Sequence, residues 1–232
     1  MTAAGDPSQW DNLFQNELIP SILVHVINTW DQMDKPAHHA HEDSISLKLF
    51  SALVNGKDRN RHAFLIRYQD VEVDADLSKA IGRKDIVFFP SNEEDIYFCL
   101  EAKRLNALVS GSWDSLADEY VKEGMQRFVD GKYSRIGRHG GMLAYVLDGD
   151  IDRALINVAN NIRQHHAALR MDPPGELLTS NIRPADPNTR ETRHHRPNET
   201  TLFRIHHLFV TGDHGGRTRK TPARRILDNE TK

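Results

Sequence analysis

The chain is poor in cysteine, with Cys99 alone in 232 residues. One thiol excludes an internal disulfide framework and fits a reducing compartment, with the cytoplasm as the default expectation. Long apolar runs are also missing. The best candidate for a membrane span, Leu18 to Trp30, is broken by Pro20, His25 and Asn28, so it reads as a core helix and no membrane partner is expected. The opening MTAAGDPSQW has neither a basic start nor an apolar stretch, so no secretory signal is expected. No G-x-S-x-G elbow, phosphate loop, dinucleotide fingerprint or internal repeat is present, which argues against those hydrolase and nucleotide-binding classes. Net positive charge is lacking too: the formal charge is -3, so bulk electrostatics makes no case for nucleic acid.

What remains is the composition of a globular chain, 38% hydrophobic and 27% charged, long enough for one substantial domain with appended arms. Helical spacing runs through Trp10 to Trp30, followed by a polar connector, Asp31 to Ala40. A second helix opens near Glu42 and stops before Asn55-Gly56. His62 to Tyr68 reads as a strand and Asp70 to Ser78 as an acidic bridge. Two short strands come next, Asp85 to Phe89 and Ile96 to Lys103, joined by a Pro90-Ser91-Asn92 turn. Ser112 to Asp130 reads as one amphipathic helix with Ser112 as N-cap, Trp113 on its apolar face and Gly131 as stop. Met142 to Leu147 is an apolar strand, and Ile151 to Leu169 a further helix. Asp172 to Thr200 carries five of the ten prolines and reads as a long flexible loop before a last strand, Thr201 to Val210. The expected fold class is α/β, a mixed central sheet flanked by helices. The expected division is an N-terminal helical extension over 1–40, a main domain over 41–210 with a flexible loop at 172–200, and a basic tail over 211–232.

Chemistry concentrates in Ile96-Tyr97-Phe98-Cys99-Leu100-Glu101-Ala102-Lys103. Strand alternation puts Ile96, Phe98, Leu100 and Ala102 on one face and Tyr97, Cys99, Glu101 and Lys103 on the other. Antiparallel pairing with the preceding strand would bring Asp85 beside Glu101, so two carboxylates and one ammonium converge. A phosphodiester repels its nucleophile. Two carboxylates can hold Mg²⁺ while the ion keeps water and phosphate in its other positions, and a nearby lysine can orient water or neutralise developing charge.

This arrangement resembles the PD-(D/E)XK nuclease superfamily, whose motif is an Asp on one strand followed by Glu-x-Lys on the next, as in Asp85 and Glu101-Ala102-Lys103. Lys84 stands where the family pattern has proline. The resemblance implies a restriction-endonuclease-like core. It also implies that Asp85, Glu101 and the Ala102 carbonyl bind Mg²⁺, with Mn²⁺ as an alternative, and that Lys103 lies beside the attacking water. Members often carry a further Glu on the preceding helix, a role that Glu42 fits. Helix-dipole decoration suits Glu42 nearly as well, and Asp43 could exchange places with it. The helix after the catalytic strand often lies along the cleft in such folds, so Gln126, Arg127, Lys132 and Arg135 are candidates for contact with a phosphate backbone.

Acidic-x-Lys also occurs at Asp130-Gly131-Lys132 and Glu230-Thr231-Lys232, but neither copy comes after an Asp-led strand. Glu123 and Arg127 are spaced for an ordinary helical ion pair. The pairs and triplets His38-His39-Ala40-His41, His165-His166, His194-His195 and His206-His207 match no zinc template. His206 and His207 must face opposite sides of the last strand, one toward the cleft and the other toward the surface. The expected function is a metal-dependent phosphodiesterase acting on DNA rather than RNA, in a prokaryotic or phage-defence setting that only the resemblance suggests. A catalytically silent module binding nucleic acid or a partner protein, and an RNA-directed nuclease, are the competing expectations. Leu13 to Trp30 could serve a homodimer or a specificity-supplying partner, or simply pack on the core.

Overall fold

The computed structural model describes residues 18–57, 64–74, 79–90, 97–197 and 199–212. The start of the first helix before Leu18, the Ser91-Asn92 turn and the basic tail fall outside the described residues. The elements are α1 (Ile19–Gln32), α2 (Glu42–Asn55), β1 (Leu65–Asp74), β2 (Lys79–Phe89), β3 (Phe98–Leu105), β4 (Ala107–Val109) and β5 (Ser112–Asp114). After these come α3, β6 (His139–Val146), α4 (Ile151–Gln164), β7 (Leu178–Thr179), β8 (Thr189–His194) and β9 (Phe203–Thr211). Helix α3 is composite: α-helical over Ala117–Glu119, π-helical over Tyr120–Met125 and α-helical again over Gln126–Val129.

Seven strands form one mixed sheet in the order β1-β2-β3-β6-β9-β8-β7, and β4-β5 form a separate hairpin. β3, β6 and β9 run parallel, flanked on each side by antiparallel partners. Parallel strands need cover on both faces, and both are covered. Phe98, Leu100, Leu143, Tyr145 and Leu208 pack on one side with α1 and α2. Cys99, Met142, Ala144, Ile205 and Phe209 pack on the other with α3 and α4. The α/β expectation therefore holds as a three-layer mixed α/β fold. Helix α1 buries Ile19, Ile22, Leu23, Val26 and Trp30, and Trp30 Nε1 donates to the Thr211 carbonyl at 2.9 Å. Its apolar stripe is core rather than an open surface. Among the described residues no helix is long and apolar enough to cross a membrane.

Several readings of the sequence are corrected. The acidic stretch after Tyr68 is strand rather than bridge: β1 and β2 form a long hairpin whose register runs from Leu65↔Phe89 to Asp74↔Lys79. Its polar residues are stabilised by ion pairs, Lys84 Nζ lying 2.8 Å from Asp70 and 2.6 Å from Glu72. Asp85 consequently sits within β2 rather than at its start. Ser112 and Trp113 belong to β5, not to a helix, and Trp113 is 51% exposed. Helix α4 ends at Gln164, before Leu169. The 172–200 segment is not a structureless loop, because it supplies β7 and β8, with β8 paired to β9 from Thr189↔Leu208 to His194↔Phe203. Polar β8 residues are tolerated inside because they satisfy one another. Tyr120 Oη lies 2.8 Å from His207 Nδ1, His207 Nε2 2.8 Å from Thr192 Oγ1, and Thr192 Oγ1 2.7 Å from His194 Nε2. His206 and His207 do face opposite sides, yet both are buried and neither reaches the surface.

Candidate active site

The site forms where two strands part. β2 and β3 pair only at Ile86↔Leu100, Val87↔Cys99 and Phe88↔Phe98. At the next residue the ladder ends, and the Asp85 side chain replaces it: Asp85 Oδ2 accepts the Ala102 N–H at 2.7 Å. On the far side of β2, Gln69 adopts φ 51° between the pairs Tyr68↔Ile86 and Asp70↔Lys84, an irregularity opposite Asp85. The short ladder turns Asp85 toward β3 without breaking the hairpin.

Glu101 and Lys103 project to one side of β3, as alternation requires. Lys103 Nζ donates to Glu42 Oε1 at 3.0 Å, Glu101 Oε1 at 3.0 Å and the Ala102 carbonyl at 2.9 Å. Three oxygens from two elements thus converge on one cation. Glu42, in the first turn of α2, also accepts the Arg104 N–H through Oε2 at 3.0 Å. It therefore fixes the helix start to β3 as well as complementing the dipole. Asp43 lines the same cavity, and its backbone carbonyl accepts the Tyr68 hydroxyl at 3.0 Å.

Helix α3 closes the opposite wall. Arg127 NH1 lies 3.1 Å from Glu101 Oε1, in place of the expected pair with Glu123. A π-helical segment adds to the residues per turn and so rotates the next turn about the helix axis; Arg127 lies in the α-helical turn that follows Tyr120–Met125 and meets Glu101 of β3. Gly124 packs closely here: a Cβ would stand 2.3 Å from Met142 Cε, the mobile end of that side chain, and 3.6 Å from Lys103 Cγ. The result is a cavity of about 380 Å³ whose walls include Asp85, Glu101, Lys103, Glu42, Arg127 and Lys132.

Burial, and then the neighbouring Asp85, push the Glu101 carboxyl up to about 7. Asp85 is pushed up to about 6, chiefly by burial, against the opposing pull of the Ala102 N–H and Lys103. Burial alone would lower the Lys103 ammonium, but Glu101, Glu42 and Asp85 raise it above its ordinary value. The centre is thus two crowded carboxylates that gain from any added positive charge. Glu101 Oε2 is buried and has no hydrogen-bond partner.

Asp85, Glu101, Lys103 and Glu42 are brought together as the sequence predicts, and Gln126, Arg127 and Lys132 line the same cavity. Gln126 also binds Asp130 Oδ1 at 2.8 Å. Arg135 is exposed and is not among the cavity's wall residues. Sequence reasoning missed Arg83, which lines the cavity, and Tyr133, whose hydroxyl binds both Arg127 and the Arg83 carbonyl. Gly82 was the available signal for Tyr133, since that ring lies where a Cβ at 82 would be, 2.6 Å from Cε1.

No family model, curated protein or solved structure matches this chain. Among the described residues no group of three or more His, Cys, Asp or Glu is placed to hold a metal. The donor set is nonetheless suited to Mg²⁺, which is held through one or two carboxylates and keeps several waters. Glu101 Oε2 is a hard-oxygen donor without a hydrogen-bond partner, and Asp85 is close enough to raise the proton affinity of Glu101. The Ala102 carbonyl, the third expected ligand, is taken by Lys103 Nζ, so that ammonium stands among oxygens that a divalent ion would share.

Proposed function

We propose that this protein is a metal-dependent nuclease of the PD-(D/E)XK type, with a restriction-endonuclease-like core and Mg²⁺ or Mn²⁺ as its cofactor. The observation that carries this reading is the convergence of Asp85, Glu101, Lys103 and Glu42 from β2, β3 and α2 on one cavity, with Glu101 Oε2 unpartnered. Buried carboxylate oxygens without a partner are uncommon, and an ion or its water is one way to satisfy this one.

Asp85 and Glu101 would hold the ion, which when bound lowers the pKa of its water and offsets charge on a phosphate. The remaining work falls to the chain's own groups. Lys103 carries three donor hydrogens at the carboxylates and can turn one toward an attacking water or a non-bridging phosphate oxygen. Glu42 limits where Lys103 can go and keeps it charged. Arg127 neutralises Glu101, and Lys132 and Arg83 supply positive charge at the mouth for flanking phosphates. DNA is the favoured substrate, by the family resemblance alone.

The test is cleavage of plasmid, single-stranded DNA and RNA with Mg²⁺ or Mn²⁺, by wild type and by Asp85→Ala and Lys103→Ala. Metal-dependent cleavage lost in both variants is expected. Cleavage that survives both substitutions would remove the assignment, and metal binding without cleavage of any substrate would favour a silent binding module.

A further inference from the structure

Arg196 lies just beyond β8 and is only 3% exposed; Glu199 stands 3.5 Å from its NH1, and its shorter bonds all go to main-chain carbonyls. Its Nε donates to the Phe128 carbonyl at 2.7 Å, NH1 to Ser134 at 2.7 Å and NH2 to Tyr133 at 2.7 Å. The guanidinium also lies over the Phe203 ring, 3.4 Å from its centroid. These bonds satisfy the carbonyl end of α3 and fix the loop beyond it. Tyr133 leaves that fixed loop and crosses β2 at Gly82, where any side chain would collide with its ring. Its hydroxyl donates to the Arg83 carbonyl at 2.8 Å and accepts from Arg127 NH1 at 2.7 Å. Arg127 in turn meets Glu101 Oε1 at 3.1 Å.

We infer that Tyr133 is a positioning residue for the centre and Arg196 the strut that holds it, the two acting through Arg127 to fix the Glu101 carboxylate. With Oε1 held by both Lys103 and Arg127, the plane of the carboxylate is set and Oε2 is left for a cation. The inference rests on the reading of Glu101 as a cation ligand. It gives the 172–200 segment a part in the centre, although Arg196 is not among the cavity's wall residues. Groups that orient metal ligands through hydrogen bonds affect metal affinity by about 10–100-fold when removed.

The test uses the full chain with Tyr133→Phe, Arg196→Lys, Glu101→Gln and the double variant Tyr133→Phe/Glu101→Gln, with Arg127→Gln as an alternative background. Urea midpoints and Mn²⁺ binding, read from the free-ion paramagnetic resonance signal, are measured for each. Tyr133→Phe is expected to lower the midpoint in the wild-type background more than beside Glu101→Gln. It is also expected to weaken Mn²⁺ binding about tenfold with the far-ultraviolet dichroism unchanged, and Arg196→Lys should act in the same direction. Equal midpoint shifts in both backgrounds, or wild-type Mn²⁺ affinity in Tyr133→Phe, would overturn the inference. A wild-type chain that binds no Mn²⁺ would overturn the cation-ligand reading instead, while the midpoint comparison still decides whether Tyr133 acts on Glu101.

Discussion

Asp85 accepts the backbone N–H of Ala102 at 2.7 Å, so a carboxylate stands in for the strand carbonyl at the point where β2 and β3 separate. This one bond makes Asp85 both a structural closure and a member of the charged centre, and the two roles can be separated by substitution.

Asp85→Asn keeps an oxygen for the Ala102 N–H and removes the charge that raises the proton affinity of Glu101. At pH 8 its melting temperature should equal or exceed that of wild type, while the proposed metal-dependent cleavage is lost. Asp85→Ala leaves the N–H without that acceptor and should be less stable by about 1–3 kcal/mol. Thermal melts of the two variants side by side check this; a strongly destabilised Asp85→Asn would mean that its charge is needed for folding.

Lys103→Met removes the ammonium shared by Glu42, Glu101 and the Ala102 carbonyl. Breaking a largely buried pair costs about 3–5 kcal/mol, and Lys103 is 12% exposed with Glu101 at 2%. The variant should therefore melt well below wild type, and Mn²⁺ should raise its melting temperature more than it raises that of wild type. Equal Mn²⁺ shifts in the two proteins would count against the ammonium and the ion sharing one oxygen set.

Acid should unfold the protein early. Burial lowers His139 and His194 to about 4 and His207 to about 3, and His206 falls well below its ordinary value. Stability from these four is complete above pH 6.5 and is lost as pH falls toward the folded values, at about 1.4 kcal/mol per group per pH unit. The raised carboxyls of Asp85 and Glu101 act the other way, since their cost is absent at low pH and grows as pH rises toward 6 and 7. Four groups oppose two, leaving a net loss of roughly 3 kcal/mol per pH unit below about 6. Melts at pH 6 and 5 should differ by about 10 °C; a flat or rising melting temperature on acidification would refute this balance.

Gly140→Ala should destabilise through packing alone. Its Cβ would fall 2.5 Å from Phe128 Cδ1 and Cε1, inside a fully buried strand. Overpacking of this kind costs about 1–3 kcal/mol, measurable as a lower urea midpoint with an unchanged slope. A wild-type midpoint would show that Phe128 can move aside freely.

The alternation of Phe98 to Lys103 fixed which side chains share a face before any coordinates were needed, because the pleat has a period of two. Helix α2 was legible from Glu42 to Asn55, and β6 from its continuous apolar residues. The extension of β1 and β2 was not, since its polar positions are stabilised across the hairpin by Lys84 with Asp70 and Glu72, pairs that exist only once the two strands are in register. Nor was β8: a strand of Thr, Arg, Glu and His carries no apolar signal. Its interior placement depends on the bond from Thr192 to His207 of β9, whose other ring nitrogen is held by Tyr120 of α3.

By itself, then, the sequence determined the α/β class, the elements that carry Asp85, Glu101, Lys103 and Glu42, and the common face of Glu101 and Lys103, all properties of local periodicity. Only the tertiary structure decided that β2 and β3 part at Asp85, that Glu42 reaches Lys103, and that Arg127 turns to Glu101 rather than Glu123. It also decided that Arg196 holds the loop carrying Tyr133. Those outcomes depend on the close approach of Tyr133 at Gly82 and on ion pairs between distant segments, whose energies exist only once the layers have packed.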